Sequence, residues 1–198
     1  MKKPLWIWII SLTLVAFLGP PRPALAQTPT GYVRGILDQV MGLQNDPALS
    51  TQARSQAIHQ IIARNFDFAL MAKDSLGPTD ERLNGGQRQE FTRTFGYLFQ
   101  DSYTRLVLNF LKKENIQYGR ELLEGDKARV DTAIVRTNEN IPVTYLMHTA
   151  PQGWVLYDVM VDGVSILQNY KTQFAQVIRT NSFEFLLSKM QEQRRAIQ

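Results

Sequence analysis

The chain has 198 residues, with 22 lysines and arginines, 18 aspartates and glutamates, and no cysteine. The lack of cysteine excludes a disulfide scaffold and thiol chemistry, so the fold must be stabilised by a well-packed core. Residues 1–26 carry three of the basic residues and none of the acidic ones, so residues 27–198 have a formal net charge of only +1. A charge this small does not favour nucleic acid as a partner.

The N-terminal segment has the pattern of a secretory signal. Two lysines precede an apolar run over residues 5–18, and residues 24–26 (Ala-Leu-Ala) supply the small residues that a signal peptidase recognises. The run is shorter than the roughly 20 residues of a bilayer span. We therefore expect a signal peptide over residues 1–26, cleaved after Ala26. Residues 27–198 should then be one free domain in the periplasm.

The first part of that domain, residues 30–112, is predicted to be helical, because its apolar residues recur at helical spacing. Two amphipathic helices are followed by a shorter one over residues 66–76, which Gly77 and the following proline should end. Asn84 then precedes Gln87 by three residues, the spacing of a helix cap.

A long helix of about 26 residues should follow this cap and extend to Lys112, with a length of ~39 Å. One face of this helix is strongly aromatic. Such a stripe is usually ordinary core, but it could also line a cavity, and periodicity alone does not separate the two. The residues of the stripe are Phe91, Phe95, Leu98, Phe99, Tyr103, Leu106 and Phe110.

After residue 112 the apolar period changes from that of a helix to that of a strand. Short turns separate the strand-like runs, which predicts an antiparallel meander over residues 116–161 with one apolar face. Two closing helices are expected over residues 165–195. Helices, a meander and more helices together indicate the α+β class. The four predicted strands cover residues 116–123, 128–136, 143–149 and 154–161.

Few residues suggest catalysis or metal binding. His59 and His148 lie in different elements and have no second ligand at helical spacing, so a metal site is not expected. Asp67 and Asp158 lie among apolar neighbours, where burial could turn a carboxylate into a general base. The alternative role for both is structural, because an aspartate at such a position usually accepts hydrogen bonds from the amides of a helix start or a turn.

Several segments together resemble the MlaC family of periplasmic phospholipid-binding proteins, also known as toluene-tolerance proteins. The resemblance follows the same order over most of residues 27–198. Its segments are 65–68 (NFDF), 71–72 (MA), 76–77 (LG), 87–88 (QR) with Phe91, 154–159 (WVLYDV), 162–165 (DGVS) and 169–174 (NYKTQF).

This resemblance implies an NTF2-like antiparallel sheet wrapped by helices, with a lipid cavity between the sheet and a helical subdomain. It implies a phospholipid carrier, without enzymatic activity or cofactor, that maintains outer-membrane lipid asymmetry. Its implied partners are an MCE-type ABC transporter in the inner membrane and a lipoprotein complex in the outer membrane, and the carrier is expected to be a monomer. Aromatic and apolar residues of the long helix and the sheet are the expected lipid contacts: Phe68, Met71, Phe95, Phe99, Tyr103, Val130, Val143, Tyr145, Met147, Trp154 and Leu156.

The chain departs from the family pattern at two positions. Asp80 stands where the family usually has an aromatic residue, and Lys171 replaces the more usual arginine. These departures would suit another cargo, such as a hopanoid, or different partners. A small NTF2-like enzyme acting on an apolar substrate and an interaction module with a filled interior are the alternatives of other classes, since one fold hosts many functions.

Overall fold

The structure is a computed structural model that describes residues 27–197, so the predicted signal peptide lies outside the described residues. The first part of the described chain is helical, as the apolar spacing predicts. The elements are α1 (Pro29–Asn45), α2 (Thr51–Asn65), α3 (Phe68–Leu76), a 3-10 helix (Gly77–Arg82) and α4 (Gly85–Phe110). None of the helices in the described part of the chain is long and apolar enough to cross a membrane.

The long helix α4 begins at the predicted cap. The Asn84 side chain accepts a hydrogen bond from the Gln87 N–H at 2.9 Å, and the Gln87 side chain accepts one from the Asn84 N–H at 3.0 Å. This reciprocal pair satisfies two backbone donors that the first turn of a helix leaves without partners. The helix has 26 residues, which confirms the length predicted from the sequence.

The second part of the chain forms an antiparallel sheet in which each strand pairs with the next one along the sequence. The predicted meander and the α+β class are therefore confirmed. A fifth strand of two residues was not predicted, because a run that short has no visible alternation. The strands are β1 (Asn115–Glu124), β2 (Lys127–Val135), β3 (Asn140–Ala150), β4 (Gly153–Val161) and β5 (Val164–Ser165).

The register of the sheet gathers apolar residues on one face. Val130 lies opposite Tyr145 in the β2–β3 pair, and Met147 lies opposite Leu156 in the β3–β4 pair. Cross-strand partners point to the same side of a sheet, so these four side chains share a face. All four are at most 7% exposed.

Two further helices, α5 (Ile166–Thr180) and α6 (Phe183–Ile197), complete the fold. α5 packs against β4, α1 packs against β1 and β2, and α4 lies among α2, α3 and α6. One cluster of buried apolar side chains extends from Val33 to Met190 and joins the helices to the sheet.

Asp158 connects the sheet to α5. Its Oδ1 atom accepts hydrogen bonds from the backbone N–H groups of Val159 at 2.8 Å and Leu167 at 3.0 Å, and its Oδ2 atom accepts one from the Ser165 hydroxyl at 2.5 Å. The side chain of Ser165 in turn caps α5 by accepting from the Gln168 N–H. Asp158 is 5% exposed and acts here as a structural acceptor at a helix start.

We predict that Asp158→Ala lowers the free energy of unfolding by about 2–4 kcal/mol, because two buried backbone donors and one hydroxyl lose their acceptor. Ser165→Ala is the matched control and should cost only about 1 kcal/mol, the usual loss for one cap. Urea denaturation followed by circular dichroism would measure both. Equal stabilities of the Asp158→Ala protein and the wild type would contradict this role.

Candidate functional site

An apolar cavity lies between the helices and the inner face of the sheet. The cavity has a volume of about 130 Å³. The walls come from α1 (Ile36, Leu37, Val40), α2 and the residue after it (Ile61, Ile62, Asn65, Phe66), α4 and its end (Tyr103, Leu106, Val107, Phe110, Leu111), and the sheet (Ile116, Thr132, Ile134, Ile141, Val143, Tyr145, Leu156, Val161).

The exposure of these residues distinguishes a mouth from a floor. Phe110, at the end of α4, is 46% exposed, and the strand-end residues Ile116, Ile134 and Ile141 near it are partly exposed. Leu156, at the other end of the cavity, is 1% exposed. The cavity therefore opens where α4 ends and where the β2–β3 turn lies.

Two polar side chains of the walls, Asn65 and Thr132, have partners within the protein. The Asn65 amide nitrogen donates to the Ile61 carbonyl at 2.7 Å, and the Asn65 side-chain oxygen accepts from the Tyr32 hydroxyl at 2.9 Å. The Thr132 hydroxyl donates to the Val143 carbonyl at 2.9 Å. No charged side chain lines the cavity within residues 27–195. Such walls suit a hydrocarbon guest, because a polar guest would lose its hydration without gaining partners.

The helical walls are held in place by polar contacts outside the cavity. The Gln44 amide nitrogen, near the end of α1, donates to the carbonyls of Leu111 at 2.6 Å and Val107 at 3.2 Å. Leu111 directly follows α4, where the last carbonyls of a helix have no partner within the helix. Gln44 therefore fixes α1 against α4 beside the mouth.

The closed end of the cavity, where Phe66 lies, is attached to the edge of the sheet at Leu156. The Asp67 N–H donates to the Leu156 carbonyl at 2.8 Å, and Phe66 forms a parallel bridge with Leu156. The Asp67 side chain also caps α3 by accepting from the Leu70 N–H at 2.9 Å. Phe66 is thus placed in the cavity by the short segment between α2 and α3.

Two tyrosines bring hydroxyl groups to the walls. Burial raises the pKa of Tyr103, and the nearby Asp158 carboxylate adds to this rise. Burial, with Tyr103 and Tyr118 nearby, also raises the pKa of Tyr145 well above its ordinary value. Both phenols are therefore neutral over the whole physiological range, and the cavity stays uncharged.

The structure divides the eleven predicted lipid contacts into two groups. Tyr103, Val143, Tyr145 and Leu156 line the cavity. The other seven belong to the packed core or pack against it, and lipid contact by them stays a prediction. They are Phe68, Met71, Phe95, Phe99, Val130, Met147 and Trp154.

The wall that α1 and α2 provide could not be assigned from the sequence. The apolar faces of both helices are visible in the sequence, but nothing in their spacing says whether a face meets the core or a cavity. Ile36 and Ile61 show this, because each belongs to an ordinary amphipathic pattern and each lines the cavity.

Both histidines form pairs with aspartates away from the cavity walls. His148 Nε2 lies 3.0 Å from Asp67 Oδ2, and His59 Nε2 lies 3.2 Å from Asp101 Oδ1. The partners are far apart in the sequence, so spacing could not reveal the pairs. No group of three or more potential metal ligands occurs within the described residues.

The two departures from the family pattern also lie away from the cavity. Asp80 is 6% exposed, and its Oδ1 atom lies 3.3 Å from Arg88 Nε, while the Arg88 guanidinium donates to the Asp80 carbonyl at 2.8 Å. Lys171 is exposed on α5 and its aliphatic chain lies beside Gly77. Neither residue lines the cavity.

Comparisons with known proteins agree with this geometry. A family model described as "MlaC protein" matches residues 34–192. A protein of Haemophilus influenzae, described as the intermembrane phospholipid transport system binding protein MlaC, is 24% identical over 97% of this chain and 93% of its own length. A solved structure of a phospholipid-binding protein from Ralstonia solanacearum, in complex with a phospholipid, is similar with a TM-score of 0.72. It is 22% identical, and the match covers 87% of this chain and 98% of that one, which establishes a shared fold.

We predict that the protein loses stability as the pH rises above about 10, the ordinary pKa of tyrosine. The unfolded chain deprotonates its tyrosines there, whereas burial raises the pKa of Tyr32 to about 12 and raises those of Tyr103 and Tyr145. The stabilising contribution is complete below pH 10 and is lost as the pH rises through the native values. Ultraviolet titration beside circular dichroism would test this, and ionisation of all seven tyrosines near pH 10 in folded protein would contradict it.

Proposed function

Because the chain belongs to the MlaC family, whose model matches residues 34–192, we propose that it is a carrier that holds a phospholipid in its cavity. The observation that carries this proposal is the cavity itself, whose described walls are largely apolar and carry no charged side chain. Each methylene removed from water contributes roughly 0.8 kcal/mol, so a protein that shields acyl chains removes the main barrier to moving a lipid through water.

The acyl chains would enter first and the headgroup would remain at the mouth. The charged groups nearest the mouth support this orientation. Arg136 donates to the Phe110 carbonyl at 2.8 Å and pairs with Glu139 at 2.8 Å and with Glu114 at 3.5 Å. Both signs of charge thus occur where a headgroup would meet solvent, whereas the described walls carry neither.

The carrier would work in the periplasm after removal of residues 1–26. It would exchange phospholipid with an MCE-type ABC transporter in the inner membrane and with a lipoprotein complex in the outer membrane, and so maintain the lipid asymmetry of the outer membrane. The relative's description as the binding protein of an intermembrane transport system supports this assignment. A monomer with one cavity suffices for such a shuttle.

The same cavity argues against catalysis. A small enzyme with this fold would need an acid or base facing its substrate. Tyrosines are the only titratable residues among the described lining residues, and burial keeps them neutral. We propose that binding and release, without a cofactor or a chemical step, are the whole activity.

We predict that Ile134→Asp folds but purifies with at least tenfold less lipid than the wild type. Ile134 is a partly exposed cavity residue, and a carboxylate there must lose its hydration or draw water in beside the acyl chains. A penalty of about 1.4 kcal/mol already gives a tenfold loss. Lipid would be extracted from each purified protein and quantified per mole by mass spectrometry.

Ala133→Asp is the matched control, because Ala133 adjoins Ile134 on β2 and side chains alternate between the two faces of a strand. This variant should keep its lipid. Thermal melting of both variants separates loss of lipid from loss of folding. Full lipid content in a folded Ile134→Asp protein would contradict the proposed site, and extraction of a hopanoid instead of a phospholipid would correct the cargo.

A further inference from the structure

Three aromatic rings form the floor of the cavity, and we propose that the innermost of them, Phe99, limits the length of the acyl chain that the protein holds. This inference rests on the proposed function and adds a selectivity to it. The floor triad consists of Phe66, Tyr103 and Phe99.

The three rings close the cavity together. The ring centroid of Phe66 lies 5.2 Å from that of Phe99 and 5.4 Å from that of Tyr103, and the Phe99 and Tyr103 centroids lie 5.5 Å apart. These separations are those of rings in direct contact. Phe66 and Tyr103 face the cavity, whereas Phe99 lies behind them and is 1% exposed.

Along α4, the cavity lies beside the last part of the helix and the floor lies one turn earlier. The residues of α4 and its end that line the cavity extend from Tyr103 to Leu111, a rise of ~12 Å at 1.5 Å per residue. Phe99 lies one turn before Tyr103, which is the direction away from the mouth. Towards the start of α4 the same face of the helix packs against other rings. The ring centroid of Phe99 lies 6.1 Å from that of Phe95 and 5.9 Å from that of Phe68.

The cavity extends for ~12 Å along α4, which is less than the depth of one membrane leaflet. The hydrocarbon core of a bilayer is about 30 Å thick, so one leaflet accounts for about 15 Å. A chain that enters at Phe110 and lies along α4 therefore meets the floor within the length of a membrane acyl chain. Any further methylene must bend inside the cavity or remain in water at the mouth, so the position of the floor determines which chains are fully shielded.

Among the residues of the floor triad, Phe99 is the one whose truncation should change the depth of the cavity without removing a ring that touches the guest. Truncation of Phe66 or Tyr103 would remove a surface that touches the guest, whereas truncation of Phe99 leaves both surfaces and creates space behind them. That space lies one helical turn, about 5 Å, further from the mouth, and the Phe66 and Tyr103 rings can shift into it because both contact Phe99. A deeper cavity should therefore accept longer chains without loss of the existing contacts.

The test compares Phe99→Ala and the milder Phe99→Leu with Phe91→Ala. Phe91 is the matched control because it is also on α4 and 0% exposed, and it packs against Phe174 and Phe183 rather than against the floor. Each protein would be incubated with excess vesicles that contain equal amounts of phosphatidylethanolamines with saturated chains of increasing length. Mass spectrometry of the lipid retained after separation from the vesicles would give the chain-length profile.

We expect the Phe99 variants to shift the profile towards longer chains, by about fourfold for each methylene newly shielded, which corresponds to about 0.8 kcal/mol. Phe91→Ala should give the wild-type profile at a similar loss of stability. An unchanged profile in a folded Phe99 variant that still binds lipid, or an equal shift in Phe91→Ala, would overturn the inference. Failure of the wild type to retain any lipid would overturn the proposed function, and this inference with it.

Discussion

The apolar cavity is the constraint on which the rest of the structure depends. Side chains that line a cavity have fewer packing partners within the protein, so a cavity destabilises a fold unless other contacts hold its walls apart. In this protein the bracing contacts lie beside the cavity. The floor triad packs continuously into the core, Gln44 joins the ends of α1 and α4, and Asp158 fixes α5 to β4. The walls can therefore stay in place when no guest is bound.

Local patterns explain why most of the fold could be predicted from the sequence. The α4 cap needs only Asn84 and Gln87, which are three residues apart, and the strand limits follow from alternation and turn residues. The family resemblance and the physical patterns predict the same fold class, because both are read from short segments of the sequence. Two elements could not be predicted from the sequence because they are too short to show a period: the two-residue β5 and the 3-10 helix over Gly77–Arg82.

The site was less predictable, because a residue in a cavity and one in a packed core obey the same pattern. Phe95 and Tyr103 illustrate this: they lie eight residues apart on one stripe of α4, yet Phe95 is 0% exposed in the core and Tyr103 lines the cavity. Their surroundings differ because Phe66 packs beside Tyr103 at the end of the cavity. Phe66 is held there by a bridge to Leu156, 90 positions further along the chain. Contacts of that range are set by the tertiary fold and leave no local signal.

Native mass spectrometry of the wild-type protein purified from the periplasm tests most directly whether this cavity holds a lipid. Gentle desolvation would preserve the complex, and fragmentation of the bound species would identify its headgroup and chains. We expect a mass increase that corresponds to bound phospholipid and disappears when the protein is denatured. A protein that leaves a lipid-replete periplasm with only the mass of its own polypeptide would contradict it.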